Sequence, residues 1–477
     1  MRRSRPHPCR TIWLAGICGL LSSQLVAGAE RHLLRSSAVP GDLTKVQVQI
    51  DVGGELKVVA EGKVKPLRMT VAGKLAYEEK SLESGEGRGT AAARSVRYYD
   101  QAEATIKIED GGEKPKLRGD RRLIVVDGGA SQTVLFSPQG PLVREELDLL
   151  DVPGNTLWLE NLLPAKPVAV GDRWRHDDQL LASLLGLDAV SQADVNSELK
   201  TIDADNARCE LAGEVHGAVG GVATDISFKA KYRFDRKQRR IAWIGMLIKE
   251  KRSVGHVATG LDVVAKMQVS LAPLAESRRL SGELLNSLAL DDAARSVALE
   301  CLAPAGKFRF QHGRGWHVMS DAGEVLTMRY VDRGELVAQC NVSSLADAEA
   351  GRIPTLAKFQ QDIEKALDKN FGQFIQASES MNSSGHAVYR VVAEGKVSDL
   401  PIQWRYYLVA DRQGRQAVFA YTLESELARQ LGDADQELVS SVQFIDRPGA
   451  TAGQPTRAKT PTPKVGKKPR KSQPDRG

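Results

Sequence analysis

From Leu43 to about Leu271, apolar and polar residues alternate with a period of two. Val46, Val48, Ile50 and Val52 interleave with Lys45, Gln47, Gln49 and Asp51. The rhythm returns at Ala102, Ala104, Ile106 and Ile108. It is cleanest at Ile226, Phe228, Ala230, Tyr232 and Phe234, opposed by Asp225, Ser227, Lys229, Lys231 and Arg233. Successive side chains of a strand point to opposite faces, so this pattern predicts antiparallel strands with one buried and one wet face. The turn Asp235-Arg236-Lys237-Gln238 runs directly into Ile241, Trp243 and Leu247, which predicts a hairpin. A further strand follows from Leu261 to Leu271.

A leucine-rich interval interrupts the strands. Residues 143–151 (VREELDLLD) and 155–163 (NTLWLENLL) read as short helices, and Leu180, Leu181, Leu184 and Leu185 suit a third, with Pro164 and Pro167 between them. A β-rich region, 30–272, is therefore expected as two halves, about 40–140 and 188–272, joined by a helical connection at 141–187. Residues 273–296 read as a linker. Past it, Leu356, Phe359, Ile363 and Leu367 share one helical face behind Pro354 and Thr355, and a second helix begins near Asp433. Strands are expected near 374–380, 387–393, 401–409 and 416–422, so 297–446 reads as an α+β domain with an antiparallel sheet.

The two ends differ from this body. Arg2, Arg3, Arg5 and Arg10 precede the apolar run Ile12 to Leu21, and Ala27-Gly28-Ala29 follows. That run is about ten residues long, against the ~20 a spanning helix needs, so 1–29 reads as a secretory signal peptide. The expected location is secreted or periplasmic after cleavage near Ala29, with no transmembrane segment in the mature chain. A lipid anchor at Cys18 fits poorly, because Ile17 stands where a small residue is required. After Asp446 the Pro-rich basic stretch 447–477 has no aromatic residue and one strong aliphatic, Val465, and is expected to be a disordered tail.

Removing both ends changes the charge. The chain carries +6 overall, yet both ends are strongly basic, so the body between them has more acids than bases and makes no electrostatic case for specific nucleic-acid binding. Of five cysteines, Cys9 and Cys18 leave with the signal. Cys209, Cys301 and Cys340 each sit on an apolar alternation, which reads as core thiols, with a Cys301–Cys340 bridge as the alternative.

No motif identifies a reaction. HExxH and GxSxG are absent, and His312 and His317 are five apart around Gly313-Arg314-Gly315, a poor spacing for a helical metal site. The acids at Asp203 and Asp205, and at Asp433, Asp435 and Glu437, lack the glycine of a calcium loop and suit turns and caps better. Gly85, Gly87 and Gly89 read as a hairpin loop and not a phosphate cradle. No catalytic residue, metal or cofactor is therefore expected. The candidate ligand or partner surface rests on sparse aromatics: Trp316 beside Arg314, and Tyr407 with Arg405 on one face of a strand whose other face carries Trp404 and Tyr406. In the tail, Lys464, Lys467, Lys468, Arg470 and Lys471 suit an anionic envelope polymer or lipid headgroups.

Residues 306–445 resemble, in their order of elements, the PsbP-like α+β sandwiches, a superfamily that includes bacterial envelope proteins. The sequence carrying this is GKFRFQHGRGWHV, GELVAQCNV, the helix PTLAKFQQDIEKAL, then QWRYYLVADRQGRQAVFAYTL and DADQELVSSVQF. The earlier part, with VAVGDRW and KYRFDRKQRRIAW, resembles uncharacterised secreted bacterial β-rich domains whose curved sheets are similar to those of lipid carriers. The resulting expectation is a mainly β plus α+β chain: a curved antiparallel sheet followed by an antiparallel α/β sandwich. Its expected role is that of a non-enzymatic secreted or periplasmic envelope protein binding a protein partner or an apolar, lipid-like ligand. The alternative is an extracellular hydrolase whose site is assembled from scattered residues.

Overall fold

A computed structural model describes residues 30–60, 62–83, 93–129, 133–287, 297–303, 307–322, 324–349 and 352–445. Residues 1–29, read as a signal peptide, lie outside the described residues, as do the lysines of 447–477 and the stretch Gly85–Gly89 read as a hairpin loop. The chain is mainly β, and its sheets are antiparallel and not closed.

The largest sheet has twelve strands. Six precede the leucine-rich interval: β1 (Leu43–Ala60), β2 (Lys63–Glu83), β3 (Ala93–Ile108), β4 (Gly111–Glu113), β5 (Leu123–Gly128) and β6 (Thr133–Phe136). One lies inside it, β7 (Arg173–Arg175), and five follow: β8 (Ala189–Ile202), β9 (Asn206–Val219), β10 (Val222–Asp235), β11 (Arg240–Arg252) and β12 (Gly260–Pro273). The order is β6-β5-β3-β2-β1-β12-β11-β10-β9-β8-β7, with β4 on β3. The two halves therefore meet at the centre, where β1 pairs with β12 from Thr44↔Pro273 to Lys57↔Gly260. The edges are β6, which precedes the helical interval, and β7, which lies within it before its last helix.

That interval forms α1 (Arg144–Leu150), α2 (Thr156–Leu159) with a 3-10 turn at Glu160–Leu162, and α3 (Asp178–Leu185). Asp177 caps α3 by accepting from the Leu180 amide, and Gly186 ends it in the left-handed region at φ 70°. Leu147, Leu150, Leu159, Leu181 and Leu184 pack into one core with Val48, Leu75, Phe228, Tyr232, Ile244 and Met246 from the strands. The helices thus fill the apolar face of the sheet. At Gly154 the positive φ of 78° favours glycine, and a Cβ there would stand 2.3 Å from Met246 Cε on that face.

Downstream, a three-stranded sheet joins β13 (Leu299–Leu302), β14 (Phe308–His312) and β22 (Gln443–Phe444). A seven-stranded sheet runs β15-β16-β17-β21-β20-β19-β18. Its strands are β15 (Trp316–Ala322), β16 (Val325–Asp332), β17 (Glu335–Ser344), β18 (Phe371–Met381), β19 (Ala387–Val397), β20 (Leu400–Ala410) and β21 (Gln416–Glu424). After the short α4 (Gly282–Asn286), helix α5 (Leu356–Leu367) buries Phe359, Ile363 and Leu367 against Trp404 and Leu408. Helices α6 (Ala428–Leu431) and α7 (Ala434–Ser440) cover the opposite face through Leu431, Leu438 and Val439. Where the sequence suggests a ligand or partner surface at Arg405 and Tyr407, both faces of β20 are covered.

Candidate functional site

The wet face of the large sheet carries an unexpected apolar strip on β11. Between Arg233 and Phe234 the pairing of β10 with β11 shifts by one residue: Arg233 faces Trp243, yet Phe234 faces Ile241. This bulge at Ala242 resets the alternation. Ile241, Ile244, Met246 and Ile248 are buried, while Trp243, Gly245 and Leu247 take the outward positions and are half-buried. The sequence pattern groups Ile241, Trp243 and Leu247 on one face; the bulge separates Ile241 from the other two.

Register places this strip among charges. Lys229, Leu247 and Lys266 form one row across β10, β11 and β12; Lys231, Gly245 and Gln268 form the next, and Arg233, Trp243 and Ser270 the third. The Trp243 ring lies over Gly245, where a Cβ would come within 2.6 Å of it. The groove measures about 910 Å³ and reaches β8 and β9. There Glu198 pairs with Arg173 at 2.8 Å and Lys200 at 2.5 Å, and Glu210 pairs with Lys231 at 2.9 Å. Lys200 and Arg173 hold the Glu198 carboxyl below its usual range. Lys229 and Lys266 have no ion pair among the described residues. The arrangement is an aromatic and aliphatic floor between two uncommitted cations, suited to an amphipathic anion.

The residues singled out from sequence lie elsewhere. Arg405 and Tyr407 are 7% and 2% exposed, so they form no accessible surface. Arg405 Nη1 donates to Asp435 Oδ1 at 2.9 Å and to the Gly432 carbonyl at 3.0 Å; Tyr407 donates to Asp435 Oδ2 at 2.5 Å. Burial, with Asp435 adjacent, pushes the Tyr407 phenol up, so it stays a donor. Asp435 lies on α7, and the cluster fastens that helix to β20. Trp316 is buried against Tyr330 and Tyr421. Arg314 is half-buried: its Nε donates to the Val297 carbonyl at 3.1 Å and its Nη2 to the Leu135 carbonyl of β6, joining the downstream domain to the large sheet. The tail residues Lys464, Lys467, Lys468, Arg470 and Lys471 lie outside the described residues.

Two further polar clusters, around Glu79 and around Ser197, are sealed. Glu79 accepts from Arg97 Nε and Ser95 Oγ at 2.8 Å and from Thr156 Oγ1 at 2.6 Å, anchoring the start of α2 to β2 and β3. His176 Nε2 and Ser197 Oγ are 2.8 Å apart and Tyr232 donates to the same oxygen at 3.0 Å, but Ser197 is fully buried. A nucleophile there has no route to substrate. Asp203 accepts from the amides of Asp205 and Asn206, the turn expected of it. Cys209 and Cys340 are free thiols, burial pushes Cys209 up to about 12, and the Cys301 thiol donates to the Leu302 carbonyl. Among the described residues no His, Cys, Asp or Glu cluster is arranged to hold a metal, and no helix is long and apolar enough to cross a membrane.

No protein-family model matches the chain, and no curated protein matches it. Among solved structures, a Bacteroides thetaiotaomicron VPI-5482 protein aligns at 10% identity and TM-score 0.23, over 31% of this chain and 48% of its own, so that about half of its length is spanned. Cyanobacterial PsbP (CyanoP) from Synechocystis sp. PCC 6803 aligns at 14% identity and TM-score 0.26, over 31% of this chain and 92% of its own. The translocator domain of the autotransporter NalP from Neisseria meningitidis aligns over 81% of this chain and 90% of its own, at 8% identity and TM-score 0.13. Similarity at this level carries no functional argument for the chain.

Proposed function

We propose that the chain is a non-enzymatic secreted or periplasmic envelope protein that binds an amphipathic, anionic ligand on the wet face of its large sheet. The observation supporting this reading is the Trp243–Gly245–Leu247 strip between Lys229 and Lys266. Outward positions of a half-exposed strand ordinarily carry polar residues, and here the floor is apolar while two flanking cations have no ion pair among the described residues. An apolar segment lies on Trp243 and Leu247, and the acidic end meets the lysines. The alternative of an extracellular hydrolase with a site assembled from scattered residues draws no support from the His176–Ser197 pair, which is sealed.

Anilinonaphthalene sulfonate, an aromatic anion, is a suitable probe. Its fluorescence should rise on binding the full chain, and Trp243→Ala or Leu247→Ser should weaken that binding about 10-fold with little change in melting temperature, since both side chains are half-buried at the surface. Unchanged dye binding in both variants overturns the reading. Native mass spectrometry of protein purified from its own compartment then identifies the natural ligand.

A further inference from the structure

The hairpin of β1 and β2 outruns its neighbours. β12 follows β1 only to Lys57↔Gly260, and β3 joins β2 only from Met69↔Ile108 onward. Residues 58–60 and 63–67 therefore pair as a two-stranded ribbon with no third strand on either side. Such a ribbon is marginal in water, and polar residues would be the ordinary choice for it. Instead Val59 and Val64 face each other at its end, 60% and 59% exposed, with exposed Ala60 and Pro66 beside them.

The same ribbon is basic. Lys57, Lys63, Lys65 and Arg68 stand in the stretch Leu56 to Arg68 against one acid, Glu61. Lys57 is 3.8 Å from Asp262, whereas Lys63, Lys65 and Arg68 have no ion pair among the described residues. Lys63 pairs across the ribbon with Ala60 and Lys65 with Val58, so cations and apolar side chains alternate around the tip.

We infer that this tip docks the protein on an anionic lipid surface. Val59, Ala60 and Val64 enter the headgroup boundary while Lys63, Lys65 and Arg68 meet lipid phosphates. Size argues against a protein partner. A stable protein interface takes roughly 20–30 residues a side, and the free ribbon is far smaller, whereas a bilayer needs only an apolar point ringed by charge. The inference is independent of the groove around Trp243.

The test is sedimentation of the full chain with phosphatidylcholine vesicles, with and without about one-third phosphatidylglycerol, at about 0.1 M salt. Binding is expected only to the anionic vesicles. The pair Val59→Ser with Val64→Ser, and the pair Lys63→Glu with Lys65→Glu, should each weaken it about 10-fold or more. An environment-sensitive dye on Val59→Cys should brighten with vesicles, while the same dye on Lys237→Cys, at the opposite end of the sheet, should not; this readout holds even where a paired variant folds poorly. Neutralising Lys464, Lys467 and Lys468 in the full chain tests the competing tail. The inference is overturned when wild type ignores anionic vesicles, when both hairpin pairs bind like wild type, or when the tail variant alone abolishes binding.

Discussion

Trp158 and Thr133 join the helical interval to one edge of the large sheet: the indole N–H donates to the threonine hydroxyl across 2.9 Å. At the other edge Trp174 of β7 donates to the Leu162 carbonyl, also at 2.9 Å. The segment around α2 is thus fastened to both edge strands, β6 and β7, which do not pair with each other. Unpaired edges invite association with other chains, and here the leucine-rich interval lies between them.

Thr133→Val should cost about 1–2 kcal/mol, because it leaves the part-buried indole N–H of Trp158 without its acceptor. Thr133→Ser should be close to wild type. Urea denaturation checks both, and a valine variant as stable as wild type would show that the bond contributes nothing.

Arg405→Ala should be strongly destabilising, by roughly 3–5 kcal/mol, since it strands the buried Asp435 carboxylate. Tyr407→Phe removes one hydrogen bond to that charge and should cost about 1.5–3 kcal/mol. The two share a partner, so the double variant should fall short of their sum. Melting curves decide; a double variant with an unchanged melting temperature would return these residues to the surface role their sequence suggests.

Acid should weaken the downstream domain through His317. Desolvation, followed by the Arg144 charge and the nearby His312, lowers its pKa from 6.5 to about 4. The unfolded chain therefore binds this proton first. Stability attributable to His317 is complete above pH 6.5 and is lost as pH falls toward 4. Discounted for its partial exposure, the loss is about 1–2 kcal/mol. Denaturation midpoints measured across that window should fall for wild type and fall less for His317→Gln; parallel curves would remove His317 as the cause.

The helix Leu356–Leu367 and the alternating strand Val222–Asp235 are legible in the chain, because a helix face and a strand face follow from spacing within a dozen residues. The mainly β class and the leucine-rich helices follow for the same reason. Trp243 was harder to place, since one extra residue at Ala242 reverses which face follows, and a bulge depends on the partner strand as much as on its own sequence. Yet the run Ile241 to Ile248, apolar on both parities, already carries the signal of a wet face that is not polar.

Local repetition thus determines where strands and helices form and which positions share a face. It does not determine what lies against that face. The pairing of Thr44 with Pro273 spans most of the large sheet's sequence, and the same Arg405–Tyr407 alternation suits water or a covering helix equally well. Only the tertiary structure sets Asp435 beneath those two side chains, leaves Lys229 and Lys266 beside Leu247 with no ion pair among the described residues, and carries Val59 and Val64 beyond their neighbours. These are contacts between segments distant in sequence, fixed by packing and register and by no pattern within either segment.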